Sequence, residues 1–364
     1  MAGIRQSRPE AIVPPFRIEL RSDTQTTPTK EMRAAMAQAV VGDDLGGEDP
    51  TVRELEDLAA EIVGKDAALF VTSGTMGNLV SLLTLSRRGD TLLVDPESHV
   101  TLAEAGGFAA LAGCSVIPIQ TPGWLTPADI EPHIGPVTTH SLNPAIIWTE
   151  NTHNRRGGVA WGPQVMRELA DLAGRHGLRI HIDGARIFNA AAALDLPVSD
   201  LADGADTVQF CLSKGLGAPF GSMIVGSSDL IDRARRTRQL VGGGMRQAGV
   251  MAAAGLIALR DGPGRLSDDH RRARQLGDVI DDLPGLRLVS PVYTNLIFVT
   301  WDPDGLDLDV FVAEAAKHGV GVGGARGDMF RLVTHHQISD ADIEEATDVL
   351  AAAAEAAAAV SAHA

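Results

Sequence analysis

One stretch of the sequence decides the fold: Phe210-Cys-Leu-Ser-Lys-Gly-Leu-Gly-Ala-Pro219. Lys214 follows a short apolar run, predicted to be a strand at 207–212, and it precedes a turn that is rich in glycine. Taken alone, this pattern is also typical of a lysine at a protein surface. Its meaning therefore depends on which residues the fold brings close to Lys214.

A second stretch supplies a carboxylate. In His181-Ile-Asp-Gly-Ala-Arg186, Asp183 stands at the end of another apolar run, predicted to be a strand at 179–183. Open α/β sheets bind their ligands at the carboxyl ends of parallel strands. We therefore expect Asp183 and Lys214 to lie at the same edge of one sheet.

A third stretch joins a predicted strand at 67–72 to a predicted helix at 76–86, and it contains Ser73-Gly-Thr-Met76. Free backbone N–H groups at a helix start, together with the hydroxyl groups of Ser73 and Thr75, can hold a phosphate. An ordinary helix cap by Ser73 or Thr75 is the alternative explanation. The glycine-rich run at 242–244 could also bring Arg246 to the same phosphate.

A phosphate site, a carboxylate and a lysine, in this order, indicate a pyridoxal 5′-phosphate enzyme of fold type I. The lysine holds the cofactor as a Schiff base, and the carboxylate keeps the ring nitrogen protonated so that the ring accepts electrons. We therefore predict pyridoxal 5′-phosphate as the cofactor. The residues that these stretches predict to bind it are Ser73, Gly74, Thr75, Asp183, Lys214 and Arg246. No group of His, Cys and Asp residues has the spacing of metal ligands, so no metal is expected.

The composition limits the partners. The chain has 364 residues, a formal net charge of −16 and a sequence pI near 5.0, which argues against nucleic acid and against an anionic membrane surface. No run approaches the ~20 apolar residues of a membrane span, and the N-terminus lacks the apolar stretch of a signal peptide. Cys114 and Cys211 stand in apolar runs and are predicted to be buried thiols, so we expect a cytoplasmic protein.

The pattern of apolar runs predicts an α/β fold. Between 51 and 225, helical patterns alternate with short apolar strands, which indicates a mostly parallel sheet of the seven-stranded type with helices on both faces. The predicted strands are 67–72, 91–94, 115–119, 145–149, 179–183, 207–212 and 222–225. We predict a flexible N-terminal arm at 1–17, a large cofactor-binding domain at 18–260 and a small α+β domain at 261–364.

The chain resembles the low-specificity L-threonine aldolases from about residue 20 to about residue 333. The resemblance rests on the three stretches above and on several others. These are Leu20-Arg-Ser-Asp-Thr24, Gly47-Glu-Asp-Pro-Thr51, His99 before Glu104-Ala-Gly-Gly107, Glu150-Asn-Thr-His-Asn154, Gly242-Gly-Gly-Met-Arg-Gln-Ala-Gly249 and Arg331-Leu-Val-Thr-His335. The resemblance implies a homo-oligomer, a dimer or a tetramer, with its sites near the interface.

The resemblance also implies catalytic histidines. His99 matches a histidine that stacks on the cofactor ring and lies near the substrate hydroxyl, and an imidazole with a pKa near ~6.5 suits proton removal at neutral pH. A histidine at a surface strand end is the alternative. His140 matches a second active-site histidine, although its neighbourhood resembles a loop. The predicted catalytic residues are therefore Lys214, His99, His140 and Asp183.

The resemblance implies that Ser22, Arg186 and Arg331 bind the substrate carboxylate, and that Arg186 also contacts the ring hydroxyl. Arginine suits this task because its planar guanidinium binds carboxylates in a bidentate manner. One departure concerns the substrate side chain. The family usually has an aromatic residue where this chain has Gly46, and this leaves room for a larger β-substituent such as a phenyl group.

The implied reaction is retro-aldol cleavage of L-threonine, L-allo-threonine or a related β-hydroxy-α-amino acid to glycine and an aldehyde. Positioning of the Cα–Cβ bond against the ring decides which bond breaks. The same early steps also lead to β-elimination, racemisation or transamination, and these stay open as alternatives. A protein that binds the cofactor without turnover is a further alternative.

Overall fold

The computed structural model describes residues 16–325 and 327–361, so the predicted arm at 1–17 lies almost entirely outside the described residues. Twelve strands are present in the described part. They are β1 (Ile18–Glu19), β2 (Ala67–Val71), β3 (Asp90–Val94), β4 (Ser115–Pro118), β5 (Asn143–Glu150), β6 (Arg179–Asp183), β7 (Thr207–Cys211), β8 (Ser222–Gly226), β9 (Leu286–Leu288), β10 (Leu296–Trp301), β11 (Val320–Gly321) and β12 (Met329–Val333).

Fourteen α-helices accompany the strands in the described part. They are α1 (Lys30–Gln38), α2 (Pro50–Val63), α3 (Gly74–Leu85), α4 (His99–Leu102), α5 (Gly107–Ala110), α6 (Pro127–Ile130), α7 (Pro163–His176), α8 (Ile187–Leu194), α9 (Val198–Ala202), α10 (Ser228–Leu240), α11 (Gly249–Asp261), α12 (Leu266–Asp282), α13 (Leu308–Lys317) and α14 (Asp340–Ser361). None of the helices in this part is long and apolar enough to span a membrane.

Seven strands form the central sheet in the order β2-β8-β7-β6-β5-β3-β4. All run parallel except β8, which is antiparallel to both of its neighbours. The inner strands are almost continuously buried, as expected when helices cover both faces of a sheet. The mostly parallel seven-stranded sheet predicted from the sequence is therefore present, and each predicted strand end lies within two residues of the observed one.

The C-terminal part has its own antiparallel sheet, in the order β12-β10-β9. It shares an apolar cluster with α12, α13 and α14. Ile18 and Leu20 belong to the same cluster, and β1 pairs in parallel with β11 through Ile18 and Val320. The beginning of the described chain thus packs with the C-terminal elements, whereas the sequence had assigned it to the large domain. The division at 260 stays a prediction.

The two cysteines of the chain are buried free thiols. Cys114 lies just before β4, and Cys211 lies at the end of β7.

A buried ion pair joins α10 to the 3-10 turn at Asp44–Gly46. One nitrogen of the Arg238 guanidinium lies 2.7 Å from an Asp44 carboxylate oxygen, and another donates to the carbonyl oxygen of Phe70. Both charged side chains are almost completely buried, because Arg238 is 0% and Asp44 is 2% exposed.

We predict that Asp44→Ala lowers the free energy of unfolding by about 3–5 kcal/mol, because it leaves the Arg238 charge buried without its partner. Urea unfolding followed by circular dichroism, at equal protein concentrations, measures the loss. Glu54→Ala is the control, since Glu54 pairs with Arg260 at the surface and its loss should cost at most about 1 kcal/mol. Equal losses in the two variants would contradict this account of the fold.

Candidate active site

A cavity of about 240 Å³ opens where several parallel strands end. Its walls come from the segments that follow β3, β5, β6 and β7, together with β12 and the segment after β1. Six residues of the predicted site line it: Ser22, His99, Asp183, Arg186, Lys214 and Arg331. Residues that are distant in the sequence therefore meet in one place, as the parallel strand order requires.

The other predicted site residues lie outside this cavity. His140 is exposed on a turn, where its backbone N–H donates to the Thr138 hydroxyl. The Arg246 guanidinium is 66% exposed and pairs with Asp43. Ser73 and Thr75 are exposed at the start of α3. A single chain thus does not bring His140 or Arg246 to Lys214.

Asp183 is held at the end of β6 by two donors. The side-chain nitrogen of Asn78 donates to one carboxylate oxygen at 2.7 Å, and the backbone N–H of Ala185 donates to the other at 3.2 Å. The side chain of Asp183 is buried, and the pairing of β5 with β6 sets it beside Glu150. These contacts hold one carboxylate in a fixed orientation at the wall of the cavity.

His99 begins α4, and two glutamates hold it. Its backbone N–H donates to Glu150 at 2.9 Å, and its ring Nδ1 lies 2.8 Å from Oε1 of Glu104. The hydrogen bond with Glu104 raises the pKa of His99 although partial burial opposes the rise. Because the Nδ1 proton points at Glu104, the neutral ring keeps the lone pair on Nε2 as its basic site.

Sequence reasoning gave no role to Glu104 or to Asn78. Glu104 belongs to one of the motifs that carry the family resemblance, and Asn78 lies two residues after the stretch that ends at Met76. In the structure the Asn78 nitrogen also donates to Oε1 of Glu104 at 2.7 Å. Asn78 lies in α3 and Glu104 lies between α4 and α5, so their contact depends on packing that no local sequence pattern encodes.

Arg331 reaches the cavity from the C-terminal sheet. One guanidinium nitrogen donates to the side-chain oxygen of Asn154 at 2.9 Å, and another lies 3.5 Å from the Ser22 hydroxyl. The backbone N–H of Asn154 donates to Glu150. Arg331 and Ser22 therefore lie side by side at the wall of the cavity, with donors of the kind that bind a carboxylate.

Arg186 differs from its predicted role in one respect. Its Nε and one of its terminal nitrogens donate to the two carboxylate oxygens of Asp23, at 2.7 and 2.6 Å. Burial of Asp23 alone would raise the pKa of that carboxyl, but the charge and hydrogen bonds of Arg186, together with the charges of Arg331 and Lys214, outweigh burial and lower it. One full edge of the guanidinium is thus occupied by Asp23 and is not open to a substrate carboxylate.

The start of α3 lies against the end of β7. A Cβ atom at Gly74 would come within 2.9 Å of the Cys211 sulfur, and one at Gly77 within 2.6 Å of the Gln209 side chain. Only glycine allows this close approach. The Ser73 hydroxyl accepts a hydrogen bond from the backbone N–H of Met76, as the N-cap alternative predicted. The first N–H groups of a helix have no partner within the helix, so the start of α3 suits an anion.

These residues fit pyridoxal 5′-phosphate. Lys214 supplies an amine in the same cavity as the Asp183 carboxylate, because Asp183 ends β6 and Lys214 follows the adjacent parallel strand β7. The start of α3, which suits a phosphate, touches Cys211, three positions before Lys214. The donor set therefore offers an amine for the aldehyde, a carboxylate for the ring nitrogen and a helix start for the phosphate.

Comparisons with known proteins agree with this geometry. The family model described as beta-eliminating lyase matches residues 19–303. Low-specificity L-threonine aldolase 1 of Arabidopsis thaliana is 40% identical over 333 residues, which cover 90% of this chain and 93% of the relative. The low specificity L-threonine aldolase of Escherichia coli strain K12 is 41% identical over 284 residues, which cover 78% of this chain and 84% of the relative.

A solved structure of Leishmania major threonine aldolase superimposes with a TM-score of 0.78 and 20% sequence identity, covering 93% of this chain and 99% of that one. The predicted architecture of a fold-type I pyridoxal 5′-phosphate enzyme is confirmed. The chain belongs to the beta-eliminating lyase family and, within it, to the low-specificity L-threonine aldolases.

Proposed function

We propose that this protein is a pyridoxal 5′-phosphate-dependent aldolase that cleaves L-threonine, L-allo-threonine or a related β-hydroxy-α-amino acid to glycine and an aldehyde. One observation carries the proposal. Lys214, Asp183, His99 and Arg331 line the same cavity in a chain that belongs to the threonine aldolases. An amine, a carboxylate, a base and a cation for the substrate carboxylate are the groups that this reaction requires.

In this proposal Arg331 and Ser22 bind the carboxylate of the substrate. Their donors lie next to each other, so a carboxylate placed there accepts hydrogen bonds from both. We assign Arg186 a different contribution, because Asp23 occupies one edge of its guanidinium. The pair with Asp23 fixes the guanidinium, and its remaining donors would serve the ring hydroxyl of the cofactor or the substrate.

The bound cofactor supplies an electron sink for the charge that develops at Cα when the Cα–Cβ bond breaks. His99 takes the proton of the substrate hydroxyl at Nε2, while Glu104 accepts the Nδ1 proton and fixes the tautomer. Asp183 provides the negative charge that keeps the ring nitrogen protonated. Lys214 would hold the cofactor through its amine.

We also propose that the protein works as a homo-oligomer in the cytoplasm. Ser73, Thr75, His140 and Arg246 are exposed in the single chain, as expected if a second chain covers them. Gly46 lies in the 3-10 turn at Asp44–Gly46, away from the cavity, so an effect on the substrate side chain would also act through a neighbouring chain. The two buried free thiols are compatible with a reducing compartment.

A substrate panel with product analysis tests the proposed reaction. Purified protein loaded with pyridoxal 5′-phosphate is offered L-threonine, L-allo-threonine, phenylserine and serine. We expect equal amounts of glycine and aldehyde from at least one β-hydroxy amino acid. A 2-oxo acid that has lost the β-hydroxyl, released together with ammonia (pyruvate from serine, 2-oxobutyrate from threonine), would instead establish β-elimination. A 2-oxo acid that keeps the β-hydroxyl, with the amino group retained on the cofactor and no free ammonia, would establish transamination, and inverted substrate would establish racemisation.

The pH dependence of turnover tests His99 as the base. Because the pKa of His99 is raised by Glu104, the acidic limb of kcat/KM should lie above ~6.5 in the parent protein. Glu104→Gln removes the carboxylate whose hydrogen bond and charge raise this pKa, so the limb should move to lower pH. The shift is measured from rates between about pH 5 and about pH 9, a range that extends to both sides of the usual histidine pKa of ~6.5.

Glu97→Gln is the matched control for that shift. Glu97 also lines the cavity, but its carboxylate pairs with Arg156 rather than with His99. Its replacement should leave the acidic limb near that of the parent protein. An acidic limb that does not move in Glu104→Gln would exclude His99 as the titrating base.

A further inference from the structure

Two carboxylates of the site share one hydrogen-bond donor. The side-chain nitrogen of Asn78 lies 2.7 Å from an oxygen of Asp183 and 2.7 Å from an oxygen of Glu104. One ring nitrogen of His99 and one oxygen from each carboxylate all lie within 4.8 Å of one another. Asp183 and Glu104 are both buried, so solvent screens their repulsion only weakly.

The orientation of the Asn78 amide follows from its neighbours. Its oxygen lies 3.2 Å from Nε2 of His181, and Nδ1 of His181 lies 2.8 Å from the Thr207 hydroxyl. Burial lowers the pKa of His181 to about 4, so its ring is neutral near pH 7. The consistent assignment runs in one direction: Thr207 donates to His181, Nε2 of His181 donates to Asn78, and Asn78 donates to both carboxylates.

The opposite orientation is unfavourable. It would turn the Asn78 oxygen towards two carboxylates and its nitrogen towards a neutral imidazole. His181 is itself held in place, because its ring packs on Trp148 with 4.1 Å between the centroids. Both N–H groups of Asn78 are therefore committed, one to each acid.

The charged groups around His99 set its protonation. Glu104 and Asp183 face it with negative charge, Lys214 faces it with positive charge, and Glu150 accepts its backbone N–H. Burial and the nearby charge of Asp183 raise the pKa of Glu104, whereas the hydrogen bonds of Glu104 with His99 and Asn78 oppose the rise. If Glu104 took up a proton, His99 would lose the partner that supports its basicity. If Asp183 took it, the cofactor ring would lose its anion.

We propose that Asn78 is a positioning residue that keeps Asp183 and Glu104 ionised at the same time by donating one N–H group to each. The carboxylate for the cofactor ring and the carboxylate for His99 can then work side by side. The catalytic meaning of this arrangement rests on the proposed function. The electrostatic effect of Asn78 on Asp183 and Glu104 does not depend on the proposed function.

The test is the pKa of His99 in the full-length protein, measured by NMR with labelled histidine, with and without bound pyridoxal 5′-phosphate. Comparison with His99→Gln assigns its signal. In Asn78→Ala one carboxylate should take up a proton, and the pKa of His99 should fall by about one unit. The fall should be larger without the cofactor, because the protonated ring partly neutralises Asp183.

A double-mutant cycle separates this role from a general loss of packing. When Asp183→Asn is already present there is no second carboxylate to repel, so adding Asn78→Ala should lower the pKa of His99 less than half as far. Ser81→Ala is the control within the same helix. Ser81 is completely buried, its hydroxyl has no hydrogen-bond partner among the described residues, and its loss should leave the pKa unchanged.

An equal fall in both backgrounds would overturn the proposal, since Asn78 would then act only through packing. An unchanged pKa of His99 in Asn78→Ala would overturn it as well. If Asn78→Ala does not fold, Asn78→Ser replaces it, because a serine hydroxyl has one proton and cannot donate to both acids. The pKa of His99 is measured without turnover, so the result stands whichever products the substrate panel gives.

Discussion

The parallel register of the inner strands is the constraint on which the site depends. Asp183 lies opposite Glu150 on one side and opposite Gln209 on the other, because β5, β6 and β7 run in the same direction. The carboxyl ends of these strands therefore meet at one edge. Lys214 follows β7 by three positions, so it reaches the same cavity as Asp183. A register shift of one residue would turn Asp183 to the opposite face of the sheet.

The site at this edge of the sheet contains several buried charged side chains. Arg186, Asp183 and Glu104 each have a hydrogen-bond partner. Arg186 binds Asp23 through two hydrogen bonds, and Asn78 donates to both Asp183 and Glu104. Burial of such groups is costly unless hydrogen bonds or opposite charges compensate it. The compensating contacts also join distant parts of the chain. The segment after β1 is fastened to the start of α8 by the Asp23–Arg186 pair, so the same contacts that balance charge also shape the cavity.

Sequence reasoning identified what local patterns encode. Apolar runs located the seven strands of the central sheet, and the motifs located six residues of the cavity. It missed α8, which is apolar on most sides, and β1, which has two residues and no period to detect. It gave no role to Asn78 or Glu104, because their contacts depend on the packing of α3 against both β6 and the segment between α4 and α5. The single chain leaves His140 and Arg246 exposed, which an inference from motif position alone could not anticipate.

Lys214 is the residue that we expect to bind the cofactor covalently, and reductive trapping identifies the lysine that does so. The chain has four lysines, at positions 30, 65, 214 and 317. Protein loaded with pyridoxal 5′-phosphate is treated with borohydride, which converts the bond between lysine and cofactor to a stable amine, and its peptides are analysed by mass spectrometry. The account predicts the cofactor mass on Lys214 and its loss in Lys214→Ala. Labelling of another lysine with Lys214 unmodified would contradict the account.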